Sequence, residues 1–219
     1  MILSASGGPF RATPIEHLSF VTANDIANDP SWLSASKISV DSATMLNKAF
    51  EVAEAHCLFG LPFDRISALV HPESTVHSVV EFTDGHQRAA LSPMDMRYSI
   101  HHALLFPSRR SFSTIATSRI EPLRSLSFYP IDKKRYPTYW LALDALIHGG
   151  TYPTALCGAD DAATTLFLHN RLRFIDIPCL ITEVLDRHDS CLSPKEEDII
   201  DAYAWSKHAA LSIAAKRYH

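Results

Sequence analysis

The alternation of apolar and polar positions reads as a sheet-forming front half and a helix-forming back half. Residues 1–3 look like the end of a strand that delivers Ser6-Gly7-Gly8 at its C-terminal edge, where open α/β sheets place ligands. Residues 9–36 carry Pro9, Pro14 and Pro30 among scattered polar groups and hold one short helix near 24–28. Loops of that length inside a compact domain are usually lids or binding loops. Period-two alternation predicts a strand over 37–40, then a helix over 43–59 closed by Gly60. Strands follow over 66–70, 75–83 and 87–91. The last two are joined by Asp84-Gly85, a strong hairpin signal, with Val76, Ser78, Val80 and Phe82 on one side of the resulting antiparallel sheet.

From about residue 105 to 130 the texture changes to Ser, Arg and Pro with little periodicity, which suits a connector. Four helical segments come next, over 136–148, 160–170, 176–188 and 194–216, with Gly149-Gly150, Gly158 and Pro194 at their boundaries. Asp160-Asp161 falls at a helix start, where acidic side chains complement the helix dipole. Tyr139, Trp140, Leu143 and Leu146 read as core. The fold class is therefore α/β (α+β): a first domain over 1–104 with a mixed or antiparallel sheet, a linker over 105–135, and a small helical bundle over 136–219.

Composition removes several alternatives. Of 219 residues, 47% are apolar and 20% charged, an ordinary soluble balance. A net charge of -4 gives no reason to expect nucleic acid or an anionic membrane as partner. No apolar run reaches membrane-spanning length, and the first residues lack the basic start and apolar stretch of a secretory signal. The four cysteines, Cys57, Cys157, Cys179 and Cys191, form no CxxC pair, so reduced, mostly buried thiols in the cytoplasm are expected. None of the seven glycines builds a GxGxxG turn or a P-loop.

Chemistry concentrates in residues 37–51. Asn47 and Glu51 lie four apart and share a helix face, with Lys48 a quarter-turn away. Ser42 falls where an N-cap belongs. A hydroxyl, an amide, an ammonium and free backbone N–H groups at a helix start suit a phosphate, and Glu51 suits a hard cation. The same residues also fit an ordinary N-cap followed by a solvated face. His71 and His77, six apart around a corner, lack a third ligand at zinc spacing.

The stretch from Lys37 to Glu51, with residues 4–11 upstream, resembles the catalytic domain of 1-deoxy-D-xylulose 5-phosphate reductoisomerases. The segments His71-Pro72-Glu73-Ser74-Thr75-Val76-His77-Ser78, Asp95-Met96-Arg97 and Arg135-Tyr136-Pro137 fit the same family in the same order. The resemblance implies a phosphate pocket of Ser6, Ser42, Asn47 and Lys48, with Glu51 a metal and catalytic carboxylate for Mn²⁺ or Mg²⁺. It implies NADPH as cofactor, a sugar-phosphate substrate and a homodimer formed through the sheet. Trp32 matches a substrate-covering residue. Asp29 stands where the family has a catalytic-site histidine, Ser34 where it has a methionine on the nicotinamide, and Ala35 where it has a cofactor-contacting glycine. The family's N-terminal nucleotide-binding half has no counterpart here. The chain alone is thus expected not to turn over, with a non-catalytic, homodimerising sugar-phosphate-binding remnant as the alternative.

Overall fold

A computed structural model describes residues 1–27, 36–111 and 125–218. Among these lie a five-stranded sheet and eight α-helices. The sheet order is β4-β3-β1-β2-β5, with β1 Ile2–Ala5, β2 Ser67–Val70, β3 Val76–Glu81, β4 Gln87–Leu91 and β5 Tyr129–Pro130. Only β1 and β2 are parallel; every other pairing is antiparallel. Asp84-Gly85 turns β3 into β4 as expected, Gly85 at φ 85° supplying the conformation that side chains disfavour. The register between β3 and β4 slips between Val76 and Ser78, placing one extra residue, His77, in β3. That bulge interrupts the one-sided stripe expected there. Val76 is buried, whereas Val80 and Phe82 are exposed.

The expected strand over 37–40 is instead helical: α2 spans Lys37–Thr44, after a short α1 at Ala23–Ala27. Local capping favours it, since the Ser36 N–H donates to the Ser39 hydroxyl at 3.3 Å and the two hydroxyls lie 3.0 Å apart. Its burial then follows the helical period, Val40, Ala43 and Thr44 inward and Ile38 outward. Ser42 is accordingly no N-cap but an interior residue of α2. The break comes at Met45, a non-glycine residue at φ 63°, after which α3 runs Leu46–Phe59 and stops at Gly60. Met45 is 2% exposed, so burial of its side chain offsets the left-handed backbone, which costs about 1–2 kcal/mol.

Beyond α4, Met96–Leu105, the helical part comprises α5 Pro137–His148, α6 Tyr152–Leu168, α7 Ile177–Leu185 and α8 Glu196–Arg217. Helix α6 starts eight residues before the expected 160, so Asp160 and Asp161 sit mid-helix and complement no dipole there. Gly158 bounds nothing. It lets α6 and α8 touch, since a Cβ there would meet Ser206 Oγ at 2.2 Å. Helix α8 is acidic in its first turn and basic in its last, as the macrodipole favours. Tyr139 and Leu146 are buried, with Trp140 and Leu143 packed against them.

One contiguous core runs from Phe10, Val40 and Leu46 to Leu156, Phe167 and Ile181, on both sides of the 105–135 segment. The Tyr136 hydroxyl donates to the Gly7 carbonyl at 2.9 Å, and Arg135 donates to the carbonyls of Phe10 and Thr13 at 3.0 and 2.8 Å. The start of α5 is thereby tied to the turn after β1. The cysteines are less buried than expected: Cys57 and Cys179 are exposed, Cys157 and Cys191 half-buried; the first three lie off the inward stripes of α3, α6 and α7, and Cys191 lies in the loop between α7 and α8. Among the described residues no helix is long and apolar enough to cross a membrane.

Candidate functional site

At the C-terminal edge of β1 the chain turns through Gly7 and Gly8, both at positive φ. The Gly8 N–H donates to the Ser6 hydroxyl at 3.2 Å, and Arg11 donates to the Ser6 carbonyl at 2.6 Å. Ser6 thus stands at a fixed point on the sheet edge. Helix α2 reaches this edge with Ser42, and α3 follows with Asn47, Lys48 and Glu51 on its first turns. From the other side come Ser74, at φ 49°, and His77, the extra residue of the β3 bulge.

These groups line one cavity of about 310 Å³, which Ser4, Met45, Met94 and Met96 also border. Ser6, Ser42, Asn47, Lys48 and Glu51 therefore share a single space. Within it Asn47 Nδ2 donates to Glu51 Oε1 at 2.8 Å, and Lys48 forms an ion pair with Glu51. The Lys48 side chain is 13% exposed, so its charge is poorly hydrated and Glu51 is its protein counter-ion. An entering anion finds two hydroxyls, one amide and one ammonium, a donor set matched to a tetrahedral oxyanion.

Asp29, Trp32, Ser34 and Ala35 lie outside the described residues. Ser74 and His77 escaped sequence reasoning, although the segment containing them stood out. Their position depends on a bulge set by pairing with β4, a non-local property; a polar pair just after a Pro-containing corner was the available signal. His77 Nε2 lies 3.0 Å from the Ser92 carbonyl, which orients the ring. His71 serves the corner itself: Nδ1 lies 2.8 Å from the Ser127 carbonyl, and Nε2 accepts from the Thr75 N–H at 3.2 Å.

A divalent cation needs several oxygen ligands. Among the described residues Glu51 is the sole carboxylate bordering the cavity, and no group of three His, Cys, Asp or Glu could hold a metal. These residues do not complete a metal site. Nor do they form a dinucleotide site, which calls for a glycine-rich turn.

Comparison with known proteins bears directly on this arrangement. Residues 91–209 match the family described as DXP reductoisomerase C-terminal domain, and residues 1–59 match 1-deoxy-D-xylulose 5-phosphate reductoisomerase C-terminal domain. The 1-deoxy-D-xylulose 5-phosphate reductoisomerase of Thermomicrobium roseum is 42% identical over 217 residues, 99% of this chain and 56% of that protein. That of Acetivibrio thermocellus is 44% identical over 207 residues, 94% of this chain and 54% of the relative. Among solved structures, the Zymomonas mobilis enzyme in complex with NADPH superimposes with a TM-score of 0.89 at 33% identity, covering 97% of this chain and 55% of that one. A DOX-P reductoisomerase complex with NADPH, fosmidomycin and magnesium gives 0.91 at 31% identity, covering 100% of this chain and 56% of its own. The chain spans about half the length of the curated relatives it matches.

Proposed function

The chain belongs to the 1-deoxy-D-xylulose 5-phosphate reductoisomerase family, and we propose that it supplies the phosphate-gripping part of that reaction site. The reaction is the reductive isomerisation of 1-deoxy-D-xylulose 5-phosphate to 2-C-methyl-D-erythritol 4-phosphate, a cytoplasmic step towards isoprenoid precursors. In the complete site NADPH would supply the hydride and a divalent Mg²⁺ or Mn²⁺ would polarise the substrate's oxygens, Glu51 being the carboxylate this chain would contribute to the metal. The observation that carries this reading is the shared cavity of Ser6, Ser42, Asn47, Lys48 and Glu51.

On this reading the hydroxyls of Ser6 and Ser42 and the Asn47 amide donate to the phosphate oxygens, and Lys48 neutralises its charge. A phosphate that takes over Lys48 frees Glu51 from its ion pair, so the carboxylate faces the sugar end of the cavity. Ser74 stands opposite α3 as a further hydroxyl donor, with His77 beside it. The chain's own residues bind and orient the substrate; metal ligation and hydride delivery need groups beyond those described. Purified chain given substrate, NADPH and Mn²⁺ is expected to show no NADPH oxidation, and clear oxidation would refute this division of labour.

A second reading is favoured by the exposed apolar residues of the hairpin and α4, among them Val80, Phe82, Ile100 and Leu104. These suit a homodimer contact, and with a lone cavity carboxylate they fit a non-catalytic, homodimerising sugar-phosphate-binding module. Isothermal titration with a phosphorylated ketose tests the module: retained affinity without metal dependence supports it, and absence of affinity removes it.

A further inference from the structure

Helix α2, which carries Ser42 to the cavity, is held from two sides by unusual contacts. On one side its backbone lies against the turn after β1: a Cβ on Gly8 would sit 2.5 Å from the Ser42 carbonyl oxygen and 2.6 Å from Ala43 Cα. On the other side its first residue enters a cluster of charge. Lys37 Nζ lies 2.7 Å from Asp41 Oδ2, 2.5 Å from Asp160 Oδ2 and 3.5 Å from Asp161 Oδ1. The Asp160 side chain is 1% exposed and accepts from the Thr164 hydroxyl at 3.3 Å. Asp161 accepts from the Tyr203 hydroxyl and lies 3.6 Å from Lys207 Nζ on α8.

This is a costly way to pack a helix. Three carboxylates face two ammonium groups, and Asp41 Oδ1 is buried without a hydrogen-bond partner. Apolar side chains of similar volume would hold α2 on α6 at least as firmly. Charge adds direction: Lys37 must point at the α6 carboxylates of Asp160 and Asp161, which sets the rotation of a short helix about its own axis. Ser42 lies five residues on along the same short helix, so that rotation also sets how Ser42 borders the cavity.

We propose that Asp160 and Lys37 are positioning residues for the phosphate pocket, fixing α2 so that Ser42 stands opposite Asn47 and Lys48. The inference rests on the phosphate reading above and adds a determinant of it more than a hundred residues away in sequence. Neither residue borders the cavity, so neither touches the anion. Their effect on binding passes through Ser42.

The test is a double-mutant cycle on the full chain, read by calorimetric titration with inorganic sulfate, a tetrahedral dianion that does not titrate near neutral pH. Lys37→Met weakens sulfate binding roughly fivefold or more in the wild-type background. In the Ser42→Ala background the same change costs less than about twofold, whereas in the Asn47→Ala background the full loss persists. A helix that mattered only for stability would give equal losses in all backgrounds, and that result overturns the proposal, as does no loss at all. Asp160→Asn keeps the shape and one hydrogen bond to Lys37, so it runs through the same cycle should Lys37→Met not fold. A wild-type chain that binds no sulfate brings down the phosphate pocket itself. Wild-type binding with an ineffective Lys37→Met removes the positioning role alone.

Discussion

Gly8 and Ser42 meet backbone to backbone: no side chain fits between the turn after β1 and the last turn of α2. Gly8 also holds φ 72°, a conformation that costs other residues about 1–2 kcal/mol. Gly8→Ala adds a clash against main chain that cannot rotate away, worth about 1–3 kcal/mol of overpacking. Chemical denaturation is expected to show a loss of about 2–5 kcal/mol. Any folded fraction should bind phosphate more weakly, because the added methyl pushes α2 from the cavity. A variant as stable as the wild type would show that the contact is not as close as described.

Much of the fold was legible because its signals are local. Asp84-Gly85 needs only its own φ preference to make a hairpin, and Gly60 to stop α3. The candidate site was legible for a similar reason, since four of its residues fall within ten positions. Residues 37–40 misled because Ile38-Ser39-Val40 alternates like a strand. What decides for helix is the Ser36–Ser39 cap and the Lys37 ammonium reaching Asp160, 123 residues on. Asp160-Asp161 misled in the same way: two acids after a glycine look like a helix start, and only packing against α2 and α8 reveals a charge cluster around the buried Asp160. Ser74 and His77 depend on a bulge whose register belongs to β4 as much as to β3.

Lys48 and Glu51 make opposite predictions for anion binding. Lys48→Met removes a poorly hydrated ammonium, and a hydrogen bond to a charged group is worth about 1.5–3 kcal/mol. Affinity for inorganic phosphate should fall about 10- to 150-fold. Glu51→Gln removes the carboxylate that pairs with Lys48, so metal-free phosphate affinity should rise several-fold. Calorimetry on both variants checks this. A drop in both would mean that Glu51 orients Lys48 rather than competing with the anion for it.

Self-association is expected through the hairpin and α4. Strand β4 is the sheet's edge and is exposed along its whole length, and exposed edges beside apolar side chains favour pairing between copies. Sedimentation velocity should find a dimer at micromolar concentration. Phe82→Glu and Leu104→Glu together should raise the dissociation constant about tenfold or more. A monomer in the wild type would assign this surface to a different partner.

The pH dependence of stability should carry the signature of Asp160. Burial, aided by the neighbouring Asp41 carboxylate and opposed by Lys37, pushes its pKa up to about 7. Asp41 is also raised, by burial first, so the two carboxyls titrate as a pair. Unfolded, an aspartate loses its proton near 3.8. Between that value and about 7 the folded chain holds a proton that the unfolded chain has released. Stability therefore falls as pH rises through this window and levels off above it. His188 works in the opposite direction, since burial lowers its pKa and favours the fold once the ring is neutral. The difference between wild type and Asp160→Asn isolates the carboxyl. Urea denaturation at pH 5 and pH 8 should show the wild type losing on the order of 2–4 kcal/mol more than the variant across that interval. Parallel profiles for the two proteins would mean that Asp160 is ionised throughout and that Lys37 fully compensates its burial.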